Sequence, residues 1–219
     1  MRSIVSINIG KPFKVQYDMD RNFRSAIQKR PVTGKTYLDF LGFEGDQVAD
    51  LRYHGGRDKA VCVYSVDHFP FWEKELSQSL SPGVFGENLT LKNVNEHEVR
   101  IGDIFKIGEA EVQCSQPRQP CHKLNKVFNY QKMACRVQTT GYSGFYMRVL
   151  KPGWLQSGDP FELLKPDPHG ISVDDANRLM HEDKKNPSKL KKILSLEALS
   201  QEWRDIYEKR LNVALKILK

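Results

Sequence analysis

The stretch Ile101-Gly102-Asp103-Ile104-Phe105-Lys106-Ile107-Gly108-Glu109-Ala110-Glu111-Val112-Gln113-Cys114-Ser115 decides the architecture of this chain. Gly102 and Gly108 stand where a strand must reverse. From Ala110 to Ser115, Val112 and Cys114 alternate with Glu111 and Gln113, the period of a strand with one buried face. Outward from this hairpin, short β-type runs recur at Ser3–Ile9, Lys59–Tyr64, Asn88–Leu91 and Pro160–Leu163, each bounded by Gly, Pro, Asn or Asp. Many short strands separated by turns predict a mainly β barrel or sandwich over residues 1–164. One helix is expected to interrupt it at Ser65–Leu80, where Phe69, Trp72 and Leu76 fall at helical spacing. Ser65 or Asp67 would cap it and Pro70 would lie in its first turn.

Residues 165–170, Lys-Pro-Asp-Pro-His-Gly, form the best linker in the chain. Beyond it, residues 171–219 predict three helices. Ser172 and Asp175 resemble a capping arrangement, Asn186-Pro187-Ser188 punctuates, and Leu196, Leu199, Trp203, Ile206, Tyr207, Leu211, Leu215 and Ile217 run at largely helical spacing. So few apolar anchors make a marginal domain, which predicts packing on the barrel or on a second copy, as in a homodimer.

The 219 residues carry a formal net charge of +7, divided as +4 over residues 1–164 and +3 over residues 165–219. Neither part is basic enough to read as a dedicated nucleic-acid surface, and a local anion site fits better. The lysines grouped at 184, 185, 189, 191 and 192 keep a nucleic-acid-binding tail as an alternative. Met1–Asn8 alternates like a strand, and no run approaches the roughly 18 apolar residues of a membrane helix. Four unclustered cysteines predict reduced thiols, and the cytoplasm is the expected location.

The chemistry concentrates in Ser115-Gln116-Pro117-Arg118-Gln119-Pro120-Cys121-His122-Lys123. Two prolines make this a stiff loop, and nearby cations favour the thiolate, so Cys121 is expected to be a ligand or nucleophile. Two further loops are rich in polar groups at turns. Arg52-Tyr53-His54-Gly55-Gly56-Arg57-Asp58-Lys59 sets paired glycines beside cations, which suits a phosphate, without the spacing of a P-loop. Gly86-Glu87-Asn88 sets a carboxylate and an amide at the mouth of a strand. Cys114, Cys121, His122 and Cys135 lack zinc-finger spacing, and no Cys–His protease signature is present. A single thiolate ligating one metal of a bound anionic cofactor uses every feature with the fewest assumptions.

These motifs, taken in order with Phe85-Gly86-Glu87-Asn88-Leu89, Gly102-Asp103 and Thr140-Gly141-Tyr142-Ser143-Gly144-Phe145-Tyr146, resemble a MOSC domain, and the three-helix tail resembles the YiiM-like subfamily. The resemblance implies a β-rich barrel that binds the molybdenum cofactor, Mo-molybdopterin, with Cys121 as the sulfur ligand of molybdenum. It implies reduction of small N-hydroxylated compounds such as 6-N-hydroxylaminopurine, a detoxification reaction with electrons from an external reductase. His54, Lys59, Asn88 and Arg118 become candidates to hold the cofactor, with Gly55, Gly56 and Ser115 in the same motifs. Lys123 and Arg148 join them on physical grounds. Glu87 or His54 is expected to deliver protons. The sulfurase-type relatives leave a second reading open, a sulfur carrier using a Cys121 persulfide.

Overall fold

The turn at Gly108 forms as its glycine spacing predicts. β9 (Ile104–Ile107) pairs antiparallel with β10 (Ala110–Pro117), Ala110 facing Ile107. Gly108 has a positive φ of 57°, and a Cβ there would meet the Trp154 carbonyl oxygen at 2.5 Å, so a side chain fails on both strain and space. The structure, a computed structural model, describes residues 1–18, 21–50 and 54–217.

Around this hairpin the chain adds β1 (Ser3–Ile9), β4 (Arg30–Pro31), β7 (Val61–Ser65), β8 (Leu89–Lys92), β11 (Phe145–Lys151) and β13 (Phe161–Lys165). They form one eight-stranded sheet in the order β13-β9-β10-β11-β7-β8-β1-β4, antiparallel except for the β7–β8 pair. The sheet curls into a large half-barrel. Ile4 N donates to Asp159 O at 2.9 Å and Phe161 N to Arg2 O at 3.0 Å, so β1 meets the start of β13 from the far side of the sheet. Smaller sheets flank it: β5 (Thr36–Asp39) lies between β6 (Gly42–Phe43) and β12 (Gly153–Leu155), and β2 (Phe13–Asp18) pairs with β3 (Arg21–Ser25).

The helix expected over Ser65–Leu80 is shorter and begins differently. Ser65 Oγ accepts from Asp67 N and caps a 3₁₀ turn at Val66–His68; α1 then runs Phe69–Leu76 with Pro70 in its first turn and ends at Ser77 with φ 52°. Two further helices escaped the sequence reading, α2 (Lys123–Val127) and α3 (Met133–Thr140). With α1 they enclose a second apolar cluster that includes Tyr64, Trp72, Phe85, Leu124 and Phe128.

The expected three helices are α4 (Val173–His181), α5 (Pro187–Leu194) and α6 (Gln201–Ile217). Ser172 and Asp175 make the predicted capping box. The helices pack on the barrel and share one continuous apolar core with it: Val173, Leu190, Trp203 and Tyr207 join Val61, Phe105, Val112 and Met147. The connecting segment is itself tied down, Asp167 N donating to Asp103 Oδ1 at 2.7 Å. Trp203 and Tyr207 are therefore core residues, whereas the grouped lysines of α5 and the turn before it stay exposed. Among the described residues no helix is long and apolar enough to cross a membrane. Trp203→Ala should cost about 3–5 kcal/mol, and urea unfolding followed by circular dichroism should show one transition for barrel and helices together; two separable transitions would refute the shared core.

Candidate functional site

A cleft of about 80 Å³, open to solvent on one side, brings together loops that are distant in sequence. Its walls come from the segment after β3, the His54-Gly55 loop, the start of β7, the loop before β8 and the Arg118–Lys123 loop after β10. Cys121 lines it, half-buried, with Sγ 3.9 Å from Nδ1 of His122. Cys62 lines the same cleft fully buried, and that burial pushes its thiol pKa up against the pull of Arg118. Cys114 is buried in the core and Cys135 is exposed on α3.

Arg118 is the dominant cation. Its backbone N donates to Gly144 O at 3.1 Å, and its buried guanidinium donates from Nη2 to Phe85 O at 2.5 Å. Nη1 is also buried and has no hydrogen-bond partner among the described residues. A buried, unpartnered charged donor is costly, so Nη1 marks a place for an acceptor. The Tyr146 ring also lines the cleft, half-buried, and its hydroxyl pKa is raised, chiefly by desolvation.

Gly55 and Gly56 both lie at positive φ, 92° and 84°, which only glycine adopts without strain, and they lead into a 3₁₀ turn at Arg57–Lys59. That reversal sets His54 and Lys59 on the same cleft. Burial first, then the charges of Arg118, Lys59 and Lys123, lower the His54 pKa to about 4. Lys59 forms an ion pair with Glu202 and lies 5.9 Å from the centre of the Tyr146 ring. Arg52 and Tyr53 of the same motif fall outside the described residues.

Lys123 lines the cleft, with Nζ donating to Arg24 O at 3.3 Å. Asn88 does so as well, but its amide is engaged internally: Oδ1 accepts from Cys62 N at 3.1 Å and Nδ2 donates to Asp46 Oδ2 at 2.8 Å. Asp46 in turn pairs with Lys29, a further lining residue. Lys29, Cys62, Phe85 and Tyr146 were missed in the sequence. Only Phe85 and Tyr146 carried a signal, since both stand in quoted motifs.

Four expected site residues do not line the cleft. Glu87 is fully buried; Oε1 accepts from Gly83 N at 2.7 Å and Thr90 Oγ1 at 2.8 Å, and Oε2 accepts from Phe85 N at 3.1 Å. Burial raises its pKa, those bonds oppose the rise, and the carboxyl works as a loop anchor. Of the two proton donors expected from the sequence, Glu87 or His54, His54 lines the cleft and Glu87 does not. Ser115 Oγ donates to the carbonyls of Asp58 and Tyr146, and Arg148 pairs with Asp58 at 2.8 Å and donates to Ala198 O at 2.7 Å. The Ser115 hydroxyl therefore braces barrel segments to each other and Arg148 joins barrel to helices, and neither lines the cleft. Gly56 shapes the turn from outside the lining.

Residues 50–162 match the family model described as the MOSC domain. The chain belongs to the MOSC domain family. Residues 171–214 match the YiiM-like, 3-alpha helix domain, so the MOSC barrel here carries the YiiM-type tail. The Bacillus subtilis protein YflK is 48% identical over 215 residues, covering 98% of this chain and 97% of its own. The crystal structure of YiiM from Geobacillus stearothermophilus superposes with a TM-score of 0.83 at 36% identity, over 96% of this chain and all of that one. A protein of Gibberella moniliformis named Reductase is 39% identical over 145 residues, 64% of this MOSC chain but 26% of that longer protein.

The His54 shift has a definite sign. Between pH 6.5 and about 4 the unfolded chain protonates His54 while the folded chain resists, so stability falls as pH falls through that window. Imidazole NMR titration should place His54 near 4 and should show it rising when pyrophosphate enters the cleft; a midpoint near 6.5 in both states would contradict the burial and charge described.

Proposed function

We propose that this chain is a cytoplasmic reductase that holds a molybdenum–pterin cofactor in the cleft, with Cys121 as the protein's ligand to the metal. Its substrates are N-hydroxylated compounds such as 6-N-hydroxylaminopurine, and its electrons come from a separate reductase. The observation that carries this reading is the meeting of the Cys121 thiol with the unpartnered Arg118 Nη1 in one cleft. Membership of the MOSC family supports it, as does the name of the fungal relative, whose matched segment is one part of a longer protein.

The residues present fit such a group. A soft sulfur suits a heavy transition metal, and a buried guanidinium with an open donor suits a phosphate or a pterin oxygen. When bound, the cofactor supplies a two-electron redox centre. Arg118 Nη1 would donate to its anionic end, Lys59 and Lys123 would neutralise charge from other walls, and Gly55 would let backbone approach closely.

The reaction cleaves an N–O bond with two electrons and two protons, releasing an amine and water. His54 is the cleft's proton carrier in this reading. It is neutral at pH 7, its pKa lowered to about 4 chiefly by burial and then by the charges of Arg118, Lys59 and Lys123; an anionic guest offsets that second part and moves the pKa up toward the range useful for general acid catalysis. Phe85, fully buried, and the half-buried Tyr146 ring supply apolar wall that limits water around the guest.

Protein purified from a molybdenum-replete host should carry molybdenum and an oxidisable pterin, and should convert 6-N-hydroxylaminopurine with a chemical electron donor. Cys121→Ala should fold normally and show no turnover above background. Arg118→Gln should weaken cofactor retention about tenfold or more, the scale of a lost charge-assisted hydrogen bond. Full activity in Cys121→Ala would defeat the assignment.

A further inference from the structure

The three-helix module reaches the cleft through the first turn of α6. Gln201 N donates to Asp58 Oδ2 at 3.2 Å, so a carboxylate of the barrel caps a helix N-terminus, where exposed N–H groups and the helix dipole favour negative charge. Arg148 binds the other Asp58 oxygen at 2.8 Å. One residue along on each side, Glu202 of α6 pairs with Lys59. The Lys59 side chain is only 12% exposed and lines the cleft, whereas Glu202 is 45% exposed. A carboxylate from the helical module therefore sits on a cation of the cleft wall.

We propose that Glu202 is a built-in counter-ion to Lys59 that lowers the cleft's affinity for simple anions, so that charge alone does not fill the site. The inference rests on reading the cleft as an anion site and adds a specificity-determining residue from outside the barrel. The physical ground is Coulombic. A guest near Lys59 meets the field of an ammonium and a carboxylate together, and the attraction of the first is largely cancelled by the second. Filling the cleft then requires contacts that Glu202 does not oppose, those of Cys121 and Arg118. Because the pair is partly exposed, its ammonium can still bond a guest that makes those other contacts.

The test uses the full chain and pyrophosphate as the probe, with affinity measured by calorimetry at low salt. Glu202→Gln keeps a hydrogen-bonding side chain and removes the charge, and should tighten pyrophosphate about two- to fivefold. The gain should shrink in 0.5 M salt, where charges are screened over about 4 Å. In a Lys59→Gln background the same substitution should bring a clearly smaller gain. Circular dichroism would confirm that each variant is folded. Unchanged or weaker binding by Glu202→Gln overturns the proposal, since a purely structural contact would give that result. An equal gain with and without Lys59 also overturns it, because Glu202 would then act by general repulsion. If neither the wild-type chain nor Glu202→Gln binds pyrophosphate, the anion reading of the cleft falls together with this one.

Discussion

Burying the guanidinium of Arg118 constrains everything around it. A charge taken from water must find acceptors, and the Phe85 carbonyl supplies one for Nη2. That carbonyl is in place because Glu87 holds the amides of Gly83 and Phe85 from below. Glu87 is itself sealed by Thr90 of β8. The Phe85 ring stacks on Tyr64 of β7 at 4.2 Å between centroids and meets Phe128 just beyond α2 at 4.9 Å. Loop, sheet and helices thus converge on one donor pair, of which Nη2 has its acceptor and Nη1 has none among the described residues.

The same economy of contacts explains why the helical module belongs to the site. Ser115 stands on β10, the strand that delivers the Arg118–Lys123 loop. Its hydroxyl binds the Asp58 carbonyl and its own carbonyl accepts from Ser200 N at 3.1 Å. Asp58 lies inside the 3₁₀ turn that carries Lys59. A displacement of α6 would pull on Asp58 and Lys59 together, so helices remote from Cys121 in sequence help to fix the cations of its cleft.

The sequence was most legible where local pattern and tertiary outcome agree. β1 and β9 form over the expected residues, and the Ser172–Asp175 box opens α4, because alternation, turn glycines and capping are local signals. β11 was missed although Phe145, Met147 and Val149 point to the core at period two; Tyr146, Arg148 and Leu150 between them are large enough to blur the contrast. α2 and α3 are too short to announce themselves and depend on Asn125, which accepts from Ala134 N and donates to Gln131 O. Of the expected site residues, Cys121, His54, Lys59, Arg118 and Lys123 line the cleft, while Glu87, Ser115 and Arg148 lie outside its lining; a polar side chain that braces a loop and one that faces a cleft look alike in sequence until their partners are known.

Net charge is a poor guide to this cleft for the same reason. Lys29 is neutralised by Asp46 and Lys59 by Glu202, so two of the four lysine and arginine side chains on its walls bring their own counter-ions. Among the described residues Arg118 and Lys123 form no ion pair with a carboxylate. The uncompensated field therefore gathers at the Arg118–Lys123 loop, the loop that also presents Cys121. His54 registers it, since Arg118 is the largest charge acting to lower its pKa. An anion drawn into the cleft is directed to the sulfur by two local cations, and the +7 of the whole chain has little to do with it.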